Sequence, residues 1–360
     1  MKKNKILVTG GAGFIGSNFI DKILNTTSFS VVNLDCIDSS SVLETVSRFE
    51  KYKHRFSHFT GSIDDERYVR QLLESFRPSW VINFAAKSHV DKSIASPKEF
   101  FETNVYGTFV LLEEIYRASL NGFLDRDTFQ FIQISTDEVY GDAAKRGGSS
   151  FLEEDRLEPS SPYSATKACS EHLVNAWSKT FGLNTLITRT TNNYGPYQNP
   201  EKFIPKVINN IINTREIPVY GDGSQKRDWI YVADNVASII GLMGKSKMAP
   251  TYNISSGQEV TNLHLIEKII SIMASKDLGY SVSDLRELVT FVSDRPGHDR
   301  HYSCDSTKLR DEIKTFDFCD LEAGLTKTVE WYLANQTWSE SLYLKTDTND
   351  HLRWRTQLIE

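Results

Sequence analysis

Two stretches carry side chains whose spacing could do chemistry. In "SPYSATKACSEH", Tyr163 and Lys167 stand four residues apart, which puts both on one face of a helix. A lysine ammonium beside a phenol favours the phenolate, so a tyrosine that ordinarily titrates at about 10 becomes usable as a base. In "FIQISTDEVYG", an apolar run rich in β-branched residues ends in Thr136 and then sets Asp137 beside Glu138. Adjacent acids repel, and they lose solvation if buried. Their place at the exit of a core-type strand therefore asks for a purpose. Taken alone, Tyr163 and Lys167 also read as a surface pair. The two acids also read as a solvated loop or a helix start, where carboxylates are favoured.

The elements that must position these groups begin at the N-terminus. The strand Ile6–Thr9 runs into "TGGAGFIG", with glycines at 10, 13 and 16 and an apolar helix opening at Phe14 and Ile15. Glycine permits the tight turn and the close approach of backbone to a pyrophosphate, and the helix N-terminus offers its amides to the anion. A second strand ends at Asp35, 19 residues after Gly16. An acid there hydrogen-bonds ribose hydroxyls and repels a 2′-phosphate. No arginine adjoins it, so NAD is favoured over NADP. Asp38 reads as a loop acid.

Further strands are expected at Ser30–Leu34, Trp80–Phe84, Phe129–Ser135 and Thr185–Arg189, with helices near 14–25, 65–76, 98–119 and 163–181. Strand–helix alternation predicts an α/β fold, a Rossmann-type doubly wound parallel sheet. After about residue 190 the alternation loosens and Pro and Gly punctuate the chain. A smaller mixed α/β substrate-binding domain is expected there. The NAD-binding domain is read as 1–190 plus about 229–255, the second domain as 191–228 and 256–338, and 339–360 as a polar tail.

The chain has 360 residues, 24% of them charged, and a net charge of −6. Nothing in that balance suggests nucleic-acid or membrane binding through a basic field. Four cysteines with no CxxC spacing argue against a zinc site or a disulfide framework, and for a reducing cytoplasm.

The stretches "TGGAGFIGS", "AAKSHVDKSI", "ETNVYGT", "ISTDEVYGD", "SPYSATKA", "NNYGPYQNPEKFIPK", "VYGDGSQKRDWIYVADN", "DRPGHDRHY" and "KTVEWYL" run almost the whole length. With them the chain resembles the extended short-chain dehydrogenases/reductases and, within these, the nucleoside-diphosphate-glucose 4,6-dehydratases. The resemblance implies a hydro-lyase with tightly bound NAD, regenerated in each cycle. Tyr163, Lys167 and Thr136 would serve oxidation at the sugar C4, Glu138 would remove the C5 proton, and a protonated Asp137 would assist departure of the 6-hydroxyl. In a straight strand neighbouring side chains point to opposite faces, so the chain must bend after Ser135 for both acids to reach one sugar.

By motif match the cofactor would meet Gly10, Gly13, Phe14, Ile15, Gly16, Asp35, Ser62, Ile63, Ala85, Ala86, Lys87, Thr103, Tyr163, Lys167 and Asn192. The nucleotide sugar would meet Ser88, His89, Thr136, Asn193, Lys202, Phe203, Tyr220, Arg227, Asn262, Arg295, His298 and Arg300. An ordinary ion pair would equally account for Arg300, and aromatic packing for Tyr220. No metal is implied. A homodimer through the helices near 98–119 and 163–181 is implied, and Phe109, Leu112, Ile115 and Tyr116 give the first an apolar face. The chain departs from the family at Ser62, where an Asp is usual, at Lys87, where a Glu is common, and in the loop "DCIDSSSVLE". The resemblance favours dTDP-glucose as the substrate, and these departures leave UDP-glucose and a UDP-N-acetylhexosamine open as alternatives. A nucleotide-sugar 4-epimerase and a non-catalytic NAD-binding regulator are the competing functions.

Overall fold

The computed structural model describes residues 4–37, 43–245, 250–276, 278–314 and 317–343. Asp38 lies outside them. Among the described residues, twelve strands follow in chain order: β1 (Lys5–Thr9), β2 (Ser30–Asp35), β3 (Phe56–Thr60), β4 (Trp80–Asn83), β5 (Gln130–Thr136), β6 (Thr185–Thr190), β7 (Asn192–Tyr194), β8 (Ile217–Tyr220), β9 (Lys226–Tyr231), β10 (Thr251–Ile254), β11 (Glu259–Thr261) and β12 (Val289–Val292).

Seven of them form one sheet in the order β10-β6-β5-β4-β1-β2-β3, with every pairing parallel. The chain winds outward from β1 in both directions, so β1 and β4 flank the topological switch point where such sheets open a ligand crevice. Alternate residues of β1 feed opposite cores. Ile6 and Val8 pack with Phe19, Ile20 and Ile239 on one face. Leu7 packs with Val81, Leu111 and Val174 on the other. The helices Phe14–Thr26 and Val232–Leu242 cover the first face. Glu66–Phe76, Gly107–Leu120 and Pro162–Phe181 cover the second.

The later chain builds a three-stranded sheet, β11-β9-β7, and a two-stranded one, β12-β8. The helices Phe203–Ile212, Asn262–Ala274 and Leu321–Ala334 pack there around Ile208, Trp229, Ile269 and Val329.

Several expectations are refined. The edge strands β3 and β10 are not among the expected strands: Ser57, His58 and Thr60 make β3 polar, and Thr251 and Asn253 interrupt the apolar run in the short β10. Trp229–Tyr231 belong to β9 in the small sheet, so the return to the large layer begins with helix Val232–Leu242. The helix near 98–119 is broken by a wider, π-type turn at Phe101–Tyr106. The expected tail from 339 starts inside a helix, Gln336–Tyr343, whose Ser339 and Leu342 are buried; residues from 344 onward are not described. Among the described residues, no helix is long and apolar enough to cross a membrane.

Candidate active site

One cavity runs along the C-terminal ends of β1, β4 and β5. It is lined at one end by Gly10, Gly13, Phe14, Ile15, Gly16, Asp35, Ser62 and Ile63, and in the middle by Ala85, Ala86, Lys87, Ser88 and Thr103. Thr136, Asp137, Glu138, Tyr163, Lys167, Asn192, Asn193 and Lys202 line the other end.

The glycine end is shaped for a dinucleotide. Gly10 has φ +69°, and a Cβ there would lie 2.5 Å from the Ala85 amide nitrogen; at Gly16 it would lie 2.5 Å from the Gly10 carbonyl. The backbone is thus drawn in where β1 meets β4. No side chain caps the helix Phe14–Thr26 and its first turn holds no acid, so its amides suit an anion. Asp35 is buried at the end of β2. It accepts hydrogen bonds from the amides of Ala12 and Ile37, both 2.9 Å, which aims its carboxylate at the crevice. Ser62 lines the cavity, while Ile63 is 3% exposed and packs under Gly107.

At the other end β5 gives way to a single 3₁₀ turn, Asp137–Tyr140. Thr136 caps it, its Oγ1 accepting from the Glu138 amide at 3.3 Å. The bend falls after Thr136, one residue later than expected, because Thr136 still pairs with Thr190 of β6. Its consequence is the expected one: Asp137 and Glu138 both line the cavity. Each keeps one buried carboxyl oxygen with no hydrogen-bond partner among the described residues.

Burial pushes the Asp137 carboxyl well up from its ordinary value, and the neighbouring charges of Glu138 and Asp228 push it further. Glu138 is also raised by burial, but Arg295, Arg227 and Lys202 pull it back. Both carboxyls are thus pushed toward the neutral form, Asp137 the more strongly, because the cations beside Glu138 oppose the effect of its burial.

Tyr163 lies on the helix Pro162–Phe181, which Ser161 starts with a capping box. Its amide donates to Ser93 Oγ at 3.2 Å. Burial raises the phenol, Glu138 raises it further, and a hydrogen bond from Thr136 lowers it. The sequence expectation gave that lowering to Lys167. Instead the Lys167 ammonium donates to the Ile134 carbonyl at 2.6 Å, and burial brings it down to about 8 against the pull of Glu171.

The substrate-side candidates divide. Lys202 Nζ donates to the Ser88 carbonyl at 3.0 Å. Asn193 is held by Thr190, Thr191 and Asn235. His89 precedes the helix Val90–Ala95, and burial with the cations Lys202, Lys92 and Arg295 drives its pKa far down. Arg295 Nη1 is held by Asp91 at 2.8 Å, while its Nε is buried without a partner among the described residues.

Tyr220 Oη donates to the same Asp91 at 3.0 Å, and its ring meets His298 edge-on. His298 contacts Asp294 at 2.6 Å and is brought down to about 4 by burial. Arg227 donates to the carbonyls of Asp299 and Lys226, both 2.8 Å, under the Tyr302 ring; it pins this loop rather than standing free. Phe203 stacks on Trp229 and is a packing residue at the start of its helix. Asn262 opens the helix Asn262–Ala274, its amide on the Gln225 carbonyl. Arg300 is exposed, its amide on Asp142.

Sequence reasoning missed Asn104. From the wide turn it holds the Lys87 backbone at both its amide and its carbonyl and donates to Thr166 Oγ1. Its signal was present: a lone Asn at position 104 inside "ETNVYGT", where a helix was expected. Glu201, paired with Lys92, also lines the cavity. Among the described residues, no cluster of His, Cys, Asp and Glu could hold a metal ion.

A doubly wound sheet with a glycine cradle at its switch point, and a Tyr–Lys helix facing a strand-end hydroxyl, defines an extended short-chain dehydrogenase/reductase. Residues 7–327 match the family model described as GDP-mannose 4,6 dehydratase, and the chain belongs to that family. It is 41% identical over 345 residues to a dTDP-glucose 4,6-dehydratase of Escherichia coli, covering 93% of this chain and 95% of that one. Its structure resembles dTDP-glucose 4,6-dehydratase from Bacillus anthracis in complex with NAD, with TM-score 0.82 and 34% identity over 94% of this chain and 99% of that one. It likewise resembles DesIV, a dTDP-glucose 4,6-dehydratase from Streptomyces venezuelae with NAD bound, with TM-score 0.84 and 36% identity over the same shares.

Proposed function

We propose that the chain is an NAD-dependent hydro-lyase that converts dTDP-glucose to its 4-keto-6-deoxy sugar. The observation that carries this reading is the pair Asp137 and Glu138, aimed into one cavity beside Tyr163, with Asp137 pushed up more strongly than Glu138, whose burial the neighbouring cations oppose. A 4-epimerase has no use for two such acids.

Gly10, Gly13, Gly16 and Asp35 would hold NAD, which would supply the acceptor for a hydride from the sugar C4 and its return at C6. The residues do the proton work. Tyr163 takes the proton of the C4 hydroxyl, and Thr136 holds the same oxygen. Lys167, anchored on the strand by the Ile134 carbonyl, would hold the nicotinamide ribose and place a positive charge near Tyr163. Oxidation makes the C5 proton acidic, because it now neighbours a carbonyl. Glu138 removes it. Asp137, kept neutral by burial and by the charges around it, donates to the leaving 6-hydroxyl. C5 and C6 are bonded neighbours, which matches two acids on one tight turn. Lys202, Arg295 and Asn193 bind the substrate's nucleoside diphosphate. Ser88 and His89 flank the sugar.

The enzyme works in the cytoplasm, where its four free thiols stay reduced. It does so as a homodimer through the outer faces of the helices Gly107–Leu120 and Pro162–Phe181. Phe101 and Tyr106, 56% and 41% exposed just before the first of these, support that interface. Sedimentation at micromolar concentration checks it; a monomer would refute it. The NAD-binding domain comprises the seven-stranded sheet and its helices, and the nucleotide-sugar domain the two smaller sheets.

Incubation with dTDP-glucose, UDP-glucose and UDP-N-acetylglucosamine, followed by mass analysis, tests the function. Loss of one water from dTDP-glucose without added reductant is expected. An isobaric product would mean epimerisation and overturn the reading.

A further inference from the structure

The mechanism leaves one fully buried ion pair unused. Glu171 is 0% exposed and Arg189 5%. Arg189 Nε and Nη2 reach the Glu171 carboxylate at 3.0 and 2.8 Å. Its Nη1 donates to Tyr140 Oη at 2.6 Å and to the Glu153 carbonyl at 3.0 Å. Tyr140 Oη in turn donates to Asn253 Oδ1 at 2.7 Å. Every guanidinium nitrogen has a partner.

The chain of contacts joins the elements that carry the chemistry. Glu171 follows Tyr163 and Lys167 at successive steps of four on one helix, so all three share its inner face. Arg189 sits on β6 directly opposite Ser135 of β5. Tyr140 ends the turn that begins with Asp137 and Glu138. Its ring stacks on Phe151 at 4.9 Å, and the Arg189 guanidinium lies 4.6 Å from the ring centre. Gly141, at φ +81°, closes the turn so tightly that a Cβ would lie 2.3 Å from the Glu158 carbonyl. The turn therefore has little freedom except through Tyr140.

Burying two charges costs solvation that their attraction only roughly repays, so such a pair is weak evidence for stability. What it does supply is geometry: a planar fork accepts few arrangements of its partners. Glu171 also opposes the downward pull of burial on Lys167.

We propose that Glu171, Arg189 and Tyr140 are a positioning unit that sets the turn bearing Asp137 and Glu138 against the helix bearing Tyr163 and Lys167, so that elimination stays in register with oxidation. The inference rests on the dehydratase reading. Loosening the unit at Tyr140 moves the carboxyls and leaves the Tyr163–Thr136 contact in place. Elimination then fails before oxidation does.

The test uses purified holoenzyme and dTDP-glucose, with Tyr140→Phe, which removes only the hydroxyl, and Asn253→Ser, which removes its acceptor. Both are followed by product mass, by enzyme-bound reduced nicotinamide absorbance and by thermal unfolding. For Tyr140→Phe, dehydration is expected to fall about ten- to a hundredfold, as for a misplacement of about 1 Å, while reduced nicotinamide accumulates during turnover. Asn253→Ser is expected to show the same imbalance more weakly, and it serves alone if Tyr140→Phe does not fold. A merely structural role would slow both steps together in proportion to lost folded protein, with no reduced nicotinamide accumulating; that result, or wild-type turnover, overturns the proposal. If the wild-type enzyme releases no water from dTDP-glucose, it is the dehydratase reading that has failed, and the proposal falls with it.

Discussion

Asp137 and Glu138 are consecutive in sequence, line one cavity, and differ in the charges around them. Arg295, Arg227 and Lys202 oppose the rise of Glu138, to which Asp299 adds, whereas Asp137 is raised further by the carboxylates of Glu138 and Asp228, with Arg227 opposing them. Those neighbours, rather than the two side chains, set the stronger rise at Asp137, and the proposed division into acid and base rests on that difference.

That division predicts distinct lesions. Glu138→Gln removes the base, so oxidation proceeds and stalls: turnover should fall about 10²- to 10⁴-fold, the usual weight of a general base, with bound reduced nicotinamide building up. Stopped-flow absorbance and product mass check this. Full turnover in Glu138→Gln would show that another group takes the C5 proton.

Asp137 should also limit stability. Its folded pKa lies above its ordinary value of 3.8, so between those values the folded chain binds more protons than the unfolded one, and stability falls as pH rises. Asp137→Asn removes the titration. Its unfolding temperature should overtake the wild type's as pH climbs from about 4, while dehydration is lost. A pH series of melting curves decides; a gap independent of pH would refute the assignment.

Tyr163→Phe should stop the cycle one step earlier. Without the phenolic oxygen no reduced nicotinamide should appear on adding substrate, and turnover should fall by about 10² or more. Thr136→Val keeps the strand but removes the hydrogen bond that lowers the phenol. Its rate should recover as pH rises, and a pH–rate profile reads that directly.

The cradle predicts a cofactor defect. Gly16→Ala sets a methyl 2.5 Å from the Gly10 carbonyl, which the turn can absorb only by moving. Overpacking of this kind costs about 1–3 kcal/mol, and NAD retained after purification should drop. Measured nicotinamide per chain and the melting temperature together check it.

How much of this was legible in the sequence follows from how local each feature is. Gly10, Gly13 and Gly16 must follow a strand and open a helix, and Tyr163 and Lys167 share a helical face by spacing alone. Asp137 and Glu138 were legible as a pair, and the bend was off by one residue because strand pairing at Thr136 depends on β6. Features made by distant chain were not legible. Lys167 turns to Ile134, 33 residues away. Asn104 braces Lys87 from a wide turn that no periodicity marks. Arg227 and Phe203 read as ligand contacts by motif, but their partners, the Asp299 carbonyl and Trp229, lie on other elements.

Asp91 is another such long-range partner, 204 residues from Arg295. It holds Arg295 Nη1 and Tyr220 Oη together, while the Arg295 Nε, the donor proposed for the substrate anion, is buried without a partner among the described residues. Asp91→Ala releases the guanidinium. Leaving a buried charge without its partner typically costs about 2–5 kcal/mol at such sites, and the loss should fall on substrate binding: KM for dTDP-glucose should rise at least about tenfold, with a smaller change in kcat. Arg295 also lowers Glu138, so its displacement should let the Glu138 pKa rise. The base must be ionised, so activity is lost as pH falls through that value, and the acid limb of the kcat profile should shift to higher pH. Steady-state kinetics across pH checks both effects. A raised KM with an unmoved acid limb would show that Arg295 binds substrate without tuning the base.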